Sequence, residues 1–327
     1  MSGGACDTAA VVKANAYGLG ADRVARALMR AGVGKFFVAT AEEGASLRMA
    51  LGEVPDIFVL TGHMPGDTEM IDDLGLIPML NSLDQVMRHF EALPGAPFGV
   101  QLDSGMNRLG MEAAEWEAVA GIVLGAGPRL LMSHLACADE PGHPANAAQL
   151  AEFRRLSDGV TVPRSLAATG GILLGPEYHF DVTRPGIGLY GGLPHEAAAP
   201  VVRLELPVVQ CREVSAGETV GYGCAWEAEI DSQIATVAAG YADGLMRSLA
   251  GRATLWAEAT PCPVIGRISM DLITVDITHL NDQPKTLEIL CPEQGVDDLA
   301  DTAGTIGYEI LTSLGARYQR SYIGGGV

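Results

Sequence analysis

The chain has 327 residues, 48% of them hydrophobic and 19% charged, enough for a large core and two domains. Its 21 Lys and Arg stand against 40 Asp and Glu, a formal net charge of −19 that repels nucleic acid and anionic membrane surfaces. No run approaches the ~18 uncharged apolar residues of a membrane span, MSGGACDTAA at the start lacks a signal-peptide pattern, and the six scattered cysteines contain no CxxC pair, so free thiols in a reducing cytoplasm are expected.

Eight short, nearly continuous apolar runs come first: AAVVKAN (9–15), FFVAT (36–40), IFVLT (57–61), IPMLN (77–81), FGVQLD (98–103), LLMSHLA (130–136), RSLAAT (164–169) and HFDVTRPGIGLYG (179–191). Such runs read as parallel strands covered on both faces. Between them lie patterns of helical period: DRVARALMRAGV, EEGASLRMAL, NSLDQVMRHFEAL, EAAEWEAVAGIVL and NAAQLAEFRRL, with Asn81-Ser82 and Asn146 as candidate N-caps. Eight strand–helix units predict an α/β chain that begins as a TIM (β/α)8 barrel, in preference to a doubly wound sheet. LPHEAAAP (193–200) reads as a linker. The barrel is therefore assigned residues 1–198, and a mostly β C-terminal domain residues 199–327. In that domain VVRLELPVVQCREV, SQIATVAAGYA, RATLWAEA, PVIGRI, LITVDI and TLEIL read as strands. Two short helices (296–302 and 305–314) and a last strand, ARYQRSYI, follow.

In a TIM barrel the chemistry sits at the C-terminal ends of the strands. Those ends carry Lys13, Asn15 and Tyr17 on strand 1, Asn81 on strand 4, Asp103 and then Asn107-Arg108 after strand 5, His134 on strand 6, Thr169 on strand 7 and Arg184 on strand 8. Each has a plain structural reading: Asn81 a helix cap, Asp103 a loop brace, His134 a satisfied core histidine. Thr169-Gly170-Gly171 opens a helix after strand 7, and Gly186-Ile187 follows strand 8. Loops in those two places are the usual phosphate site of this fold, because amides at a helix N-terminus point at the anion. A lysine at the mouth of strand 1 can form a Schiff base with a carbonyl when its pKa is lowered. A phosphorylated aldehyde that needs such a lysine is pyridoxal 5′-phosphate (PLP).

The motifs VVKANAYGLG, LDSGMNRLG, SHLACADE, TRPGIGLYG, VGYG, AGYADG, GRISMD and GYE occur in that order over nearly the whole chain. Through them the sequence resembles the alanine racemases, PLP enzymes with an N-terminal barrel and a C-terminal β domain that work as cytoplasmic homodimers. The resemblance implies racemisation of L- and D-alanine, supplying D-alanine for peptidoglycan in cell wall biogenesis. It implies that Lys13 bonds PLP and is one of two proton-transfer bases, and that Tyr222 of VGYG is the other, delivered from the second subunit. Tyr222 rather than Tyr241 takes this role because Tyr241 lies 19 residues further on, in GYADG, as in the family. Tyr241 would line the mouth of the partner's site. Arg184 would face the pyridine nitrogen and His134 the ring. Tyr17, Thr169, Gly186, Ile187 and Tyr308 would hold the phosphate. Arg108 would bond the cofactor's phenolic oxygen, and Met270 would give a backbone donor to the substrate carboxylate. A broader-specificity racemase, acting for example on serine, and a PLP-binding protein without turnover are the alternatives on the same scaffold.

The sequence departs from the family pattern in three places. Gln101 stands where many members carry a carbamate-modified lysine that steadies the arginine equivalent to Arg108. Ala168-Thr169 replaces an Asn-Ser pair. Only residues 1–12 precede Lys13, where the family has a further strand and helix; without that helix, exposed apolar surface is expected.

Overall fold

The computed structural model describes residues 2–4 and 6–324. The chain divides into two compact units, one running to Leu189 and the other beginning at Tyr190.

In the first unit the eight expected strands all form, each only two to four residues long. Strand 1 is carried in two pieces, Asp7–Thr8 and Ala10–Val11. The second piece begins a parallel ladder that continues through Lys35–Val38, Asp56–Val59, Ile77–Leu80, Gly99–Gln101 and Leu131–Met132 to Arg164–Ser165. Strand 8, Val182–Thr183, pairs with the first piece of strand 1 and joins strand 7 through the Ala168–Arg184 bridge. The sheet thereby closes into the (β/α)8 barrel. Phe36, Phe37, Ile57, Phe58, Met79, Leu80, Val100 and Leu131 are essentially solvent-free, with Ser165 and Thr183 buried among them.

Several local expectations are corrected. Strand 1 ends at Val11 rather than running on to Asn15, and Lys13 opens a separate turn. The helix Thr68–Asp73 was not visible in the sequence, because TEMIDD is too short to show a period. Ser82 caps its helix by accepting from the Gln85 amide, while the side-chain amide of Asn81 donates to the carbonyls of Leu60 and Met79. His143, followed by Pro144, caps the helix Pro144–Ser157; Asn146 lies inside it and donates to the Glu140 carbonyl.

The second unit is a closed antiparallel barrel. Its ring runs Leu204–Val214, Ser232–Val237, Ile273–Asp276, Thr260–Ile265, Thr254–Ala257, Thr286–Leu290 and back to the first strand. A two-stranded hairpin, Thr219–Val220 with Trp226–Glu227, packs Val220 and Trp226 on a small core of Val214, Ala228, Ile234 and Ile265. Helices Val296–Ala303 and Gly307–Ser313 follow. The expected last strand does not form. That segment is held by side chains instead, Arg317 on two aspartates and Arg320 on the carbonyls of Leu314 and Gly315.

Candidate active site

Lys13 lies two residues past the end of strand 1, on the C-terminal rim of the barrel. The four residues after it, Ala14, Asn15, Ala16 and Tyr17, have φ of 51°, 55°, 52° and 55°. This is one turn of left-handed helix made without glycine, a conformation that costs roughly 1–2 kcal/mol per residue. Its bonds run Ala16 N–H to Val12 O, Gly18 N–H to Ala14 O and Gly20 N–H to Asn15 O, and the Asn15 side chain accepts from Ala21 N–H at 2.8 Å. Strain of this kind gathers at functional sites. Here it turns the chain back sharply and leaves the Lys13 amine half-buried at the rim.

The structure brings Lys13 together with Arg108, His134 and Arg184. Burial and then the Arg108 cation hold the Lys13 amine below its ordinary pKa, while Glu43 opposes them. Burial, then Arg184, Arg108 and Lys13, hold His134 down at about 3, so its ring is neutral near pH 7. Arg184 is 3% exposed. Burial lowers it to about 10, which leaves it charged at neutrality. It donates to the Ser165 hydroxyl at 2.5 Å and to the carbonyl of Ser133 at 2.7 Å.

Tyr17, Thr169, Gly186 and Ile187 form a second group on the same rim. The Thr169 hydroxyl accepts from the amides of Gly186, at 3.1 Å, and Gly188, at 3.3 Å. A Cβ on residue 186 would lie 2.3 Å from the Tyr17 hydroxyl oxygen, so only glycine lets the ring pass. Burial pushes the Tyr17 hydroxyl up to about 12, so it stays protonated. Ile187 is buried at the start of the short helical turn Ile187–Leu189.

The remaining expected residues belong to the β unit. Tyr222 is 71% exposed. It is presented by the turn of the hairpin and lines a cleft of about 400 Å³ with Arg267, Ser269 and Leu272. Tyr241 and Met270 lie on adjoining loops, tied by Tyr241 N–H to Ser269 O and Ala242 N–H to Met270 O, both 3.0 Å. Gly240 permits this approach, since a Cβ there would come within 2.3 Å of the Met270 carbonyl oxygen. Tyr308 is half-buried in the helix Gly307–Ser313.

Four residues that support these groups were missed in the sequence. Glu43 accepts from the amides of Ala14, at 2.6 Å, and Ala39, at 2.7 Å. Gln149, 2% exposed, bonds on either side of His134–Ala136, donating to His134 O and accepting from Ala136 N–H. Ser165 receives Arg184. Arg317 holds Asp243 of GYADG through two bonds of 2.7 Å and Asp271 of GRISMD through a third. Only Glu43 had a sequence signal, the spacing T-x-x-E that opens a helix. Asp103 is a loop brace, accepting from the amides of Gly105, Met106 and Asn107. Gln101 donates to the carbonyl of Leu109, next to Arg108, and so steadies the backbone of that loop.

The structure thus sets a half-buried lysine of lowered proton affinity beside Arg108 on the C-terminal rim of a (β/α)8 barrel that is followed in the chain by a β barrel, an architecture of the barrel-enzyme class. Residues 1–194 match the family described as alanine racemase, N-terminal domain, and residues 201–322 match alanine racemase, C-terminal domain. The chain is 68% identical to an alanine racemase of Cereibacter sphaeroides over 98% of its own length and 92% of that protein's. It is 67% identical to one of Dinoroseobacter shibae over 97% and 91%. A crystal structure of alanine racemase from Bartonella henselae with covalently bound pyridoxal phosphate superposes with a TM-score of 0.92 at 38% identity, covering 98% of this chain and 93% of that one. The chain belongs to the alanine racemase family and is an amino-acid racemase, an isomerase.

Proposed function

We propose that the chain interconverts L- and D-alanine with PLP held covalently by Lys13, as a cytoplasmic homodimer whose D-alanine goes to peptidoglycan. The observation that carries this reading is the Lys13 amine, half-buried and lowered in proton affinity beside Arg108 and His134. The residues present fit the cofactor. Gly186 has no Cβ, which leaves room for the Tyr17 hydroxyl, and the Thr169 hydroxyl meets the Gly186 amide beside it. A phosphate in that cradle would be held by Tyr17, Thr169, Gly186 and Ile187, with Tyr308 as a further donor.

When bound, PLP supplies an electron sink for the pair left at the substrate's Cα. Once the substrate's amine has taken its place on the cofactor, Lys13, with its lowered proton affinity, would accept the proton on one face. Tyr222, presented to solvent by its hairpin, reaches a second copy's barrel and returns a proton on the other face. Two opposed bases invert the centre without either having to move. His134 stays neutral and adds no charge against the ring. Arg184 can only donate, so a cofactor ring nitrogen placed beside it would carry no proton, which would weaken the electron sink and disfavour transamination. Arg108 would bond the phenolic oxygen of the cofactor, Met270 would give a backbone donor to the substrate carboxylate, and the partner's Tyr241 would narrow the mouth.

The purified protein should show the visible absorbance band of an imine, abolished by borohydride. Lys13→Ala should lose that band, and its persistence would remove the central claim. Tyr222→Phe should keep the band and lose racemisation in both directions; full activity would sink the two-base scheme. Relative rates on alanine, serine and lysine distinguish an alanine enzyme from a broader one, since such pockets separate neighbours by only ~10–200-fold.

A further inference from the structure

The left-handed turn at Lys13 is held from outside by one acidic side chain. Glu43 sits in the first turn of the helix Ala41–Leu51, whose N-cap is Thr40. In the usual pairing such a glutamate folds back on the amide of its own N-cap. Glu43 instead divides its two oxygens between Ala14 N–H, the first amide after Lys13, and Ala39 N–H, one residue past the end of strand 2. Ala14 N–H lies in the first turn of the left-handed helix, where the amides lack an intrahelical acceptor. The same carboxylate acts electrostatically on the Lys13 amine, against Arg108. His134 faces that amine in turn, and Arg184 acts on His134. Glu42, beside Glu43, is exposed and bonds Thr40. Lys35, on strand 2, is spent on Asp7.

We propose that Glu43 is a positioning residue for Lys13: it ties the turn that aims the amine to the end of strand 2, and it places a fixed negative charge beside that amine. This rests on the reading of Lys13 as the reacting amine. The charge opposes Arg108, so the amine can hold the proton it accepts as well as release it. A neutral brace would secure the backbone and leave Arg108 unopposed at the amine.

The test exploits the scarcity of lysine, since Lys13, Lys35 and Lys285 are the only three in the chain. The full-length protein, freed of any bound carbonyl compound with hydroxylamine, is labelled with acetic anhydride across a pH series, and each lysine is read by peptide mass. Glu43→Gln should move the Lys13 midpoint to lower pH by about half a unit, roughly a threefold gain in neutral amine below the midpoint, with Lys285 unmoved. Glu43→Asp keeps the charge with one methylene fewer and should leave the midpoint near the wild-type position. An unmoved midpoint in Glu43→Gln overturns the proposal. So does an equal fall in Glu43→Asp, which would mark a merely structural brace; that second variant decides the matter should the first not fold. The labelling needs no cofactor, so a failure of the PLP assignment would show separately, in the absorbance test.

Discussion

The Tyr17 hydroxyl sits so close to Gly186 that a methyl group there would come within 2.3 Å of it. Gly186→Ala should cost about 1–3 kcal/mol of stability, as overpacked sites do, and should weaken cofactor retention, measured by dialysis and absorbance. Gln101 gives a different expectation. It has no amine to take up carbon dioxide, and its amide is committed to the Leu109 carbonyl. Racemisation should therefore be indifferent to added bicarbonate, and strong activation would show that Arg108 needs a charge this chain does not carry. At this scale the barrel side of the candidate site was legible, because Lys13, Arg108, His134, Thr169 and Arg184 are polar residues at the ends of apolar runs, which the barrel gathers on one rim. Tyr222 and Tyr308 look like ordinary aromatics and emerge only from motif resemblance. Glu43, Gln149 and Arg317 were silent because each acts on backbone or on another side chain, which no local pattern records.

Among the elements, the turn at residues 14–17 is the least expected from sequence. Positive φ is usually announced by glycine or asparagine, and here only Asn15 obliges. VVKANAY therefore reads as a strand, although the strand ends at Val11. Ala14, exposed and at φ 51°, offers a direct probe. Ala14→Val should lower stability by about 2 kcal/mol, since a branched side chain suits this region poorly. Ala14→Gly should stay within about 1 kcal/mol of wild type, strain relief offsetting chain entropy; denaturant midpoints compare the two. The C-terminal segment misled for the opposite reason. ARYQRSYI has strand composition, yet Arg317 spends its guanidinium on Asp243 and Asp271. Arg317→Met should lower the denaturation midpoint more than Asp271→Asn does, because it strands Asp243, whose side chain is 6% exposed, whereas Asp271 is 56% exposed. Equal midpoints would argue that Arg317 is a bystander.

For the whole molecule, acid is the sensitive variable. His63 and His89 are buried together with their rings at 81° to each other, Nδ1 to Nδ1 at 3.2 Å. Burial holds both below the ordinary 6.5, with Arg88 adding to the effect on His63 and His63 to that on His89. His134 is held lower still. Folded values below unfolded ones mean that the unfolded chain takes up protons first. Stability is therefore full above pH ~6.5 and declines as pH falls toward the folded values, by up to about 1.4 kcal/mol per pH unit for each histidine. Denaturant midpoints measured from pH 7.5 to 5.5 should trace this decline, and His89→Gln should flatten it; a pH-independent midpoint in the wild type would contradict the buried-neutral assignment. At this scale the sequence was most legible, since eight apolar runs became eight strands. What it could not display is how the ring shuts. Asp7 and Thr8 pair with Val182 and Thr183, and the Thr183 hydroxyl reaches the Asp7 carbonyl across 176 positions of chain. Contacts so distant along the chain must overcome the entropy of closing that whole loop before they return anything. During synthesis the first strand must wait, unpaired on that edge, until the ribosome has released residue 183. Closure is then a late event of folding, and the emerging N-terminal strand is the segment most in need of protection from pairing with a neighbouring chain.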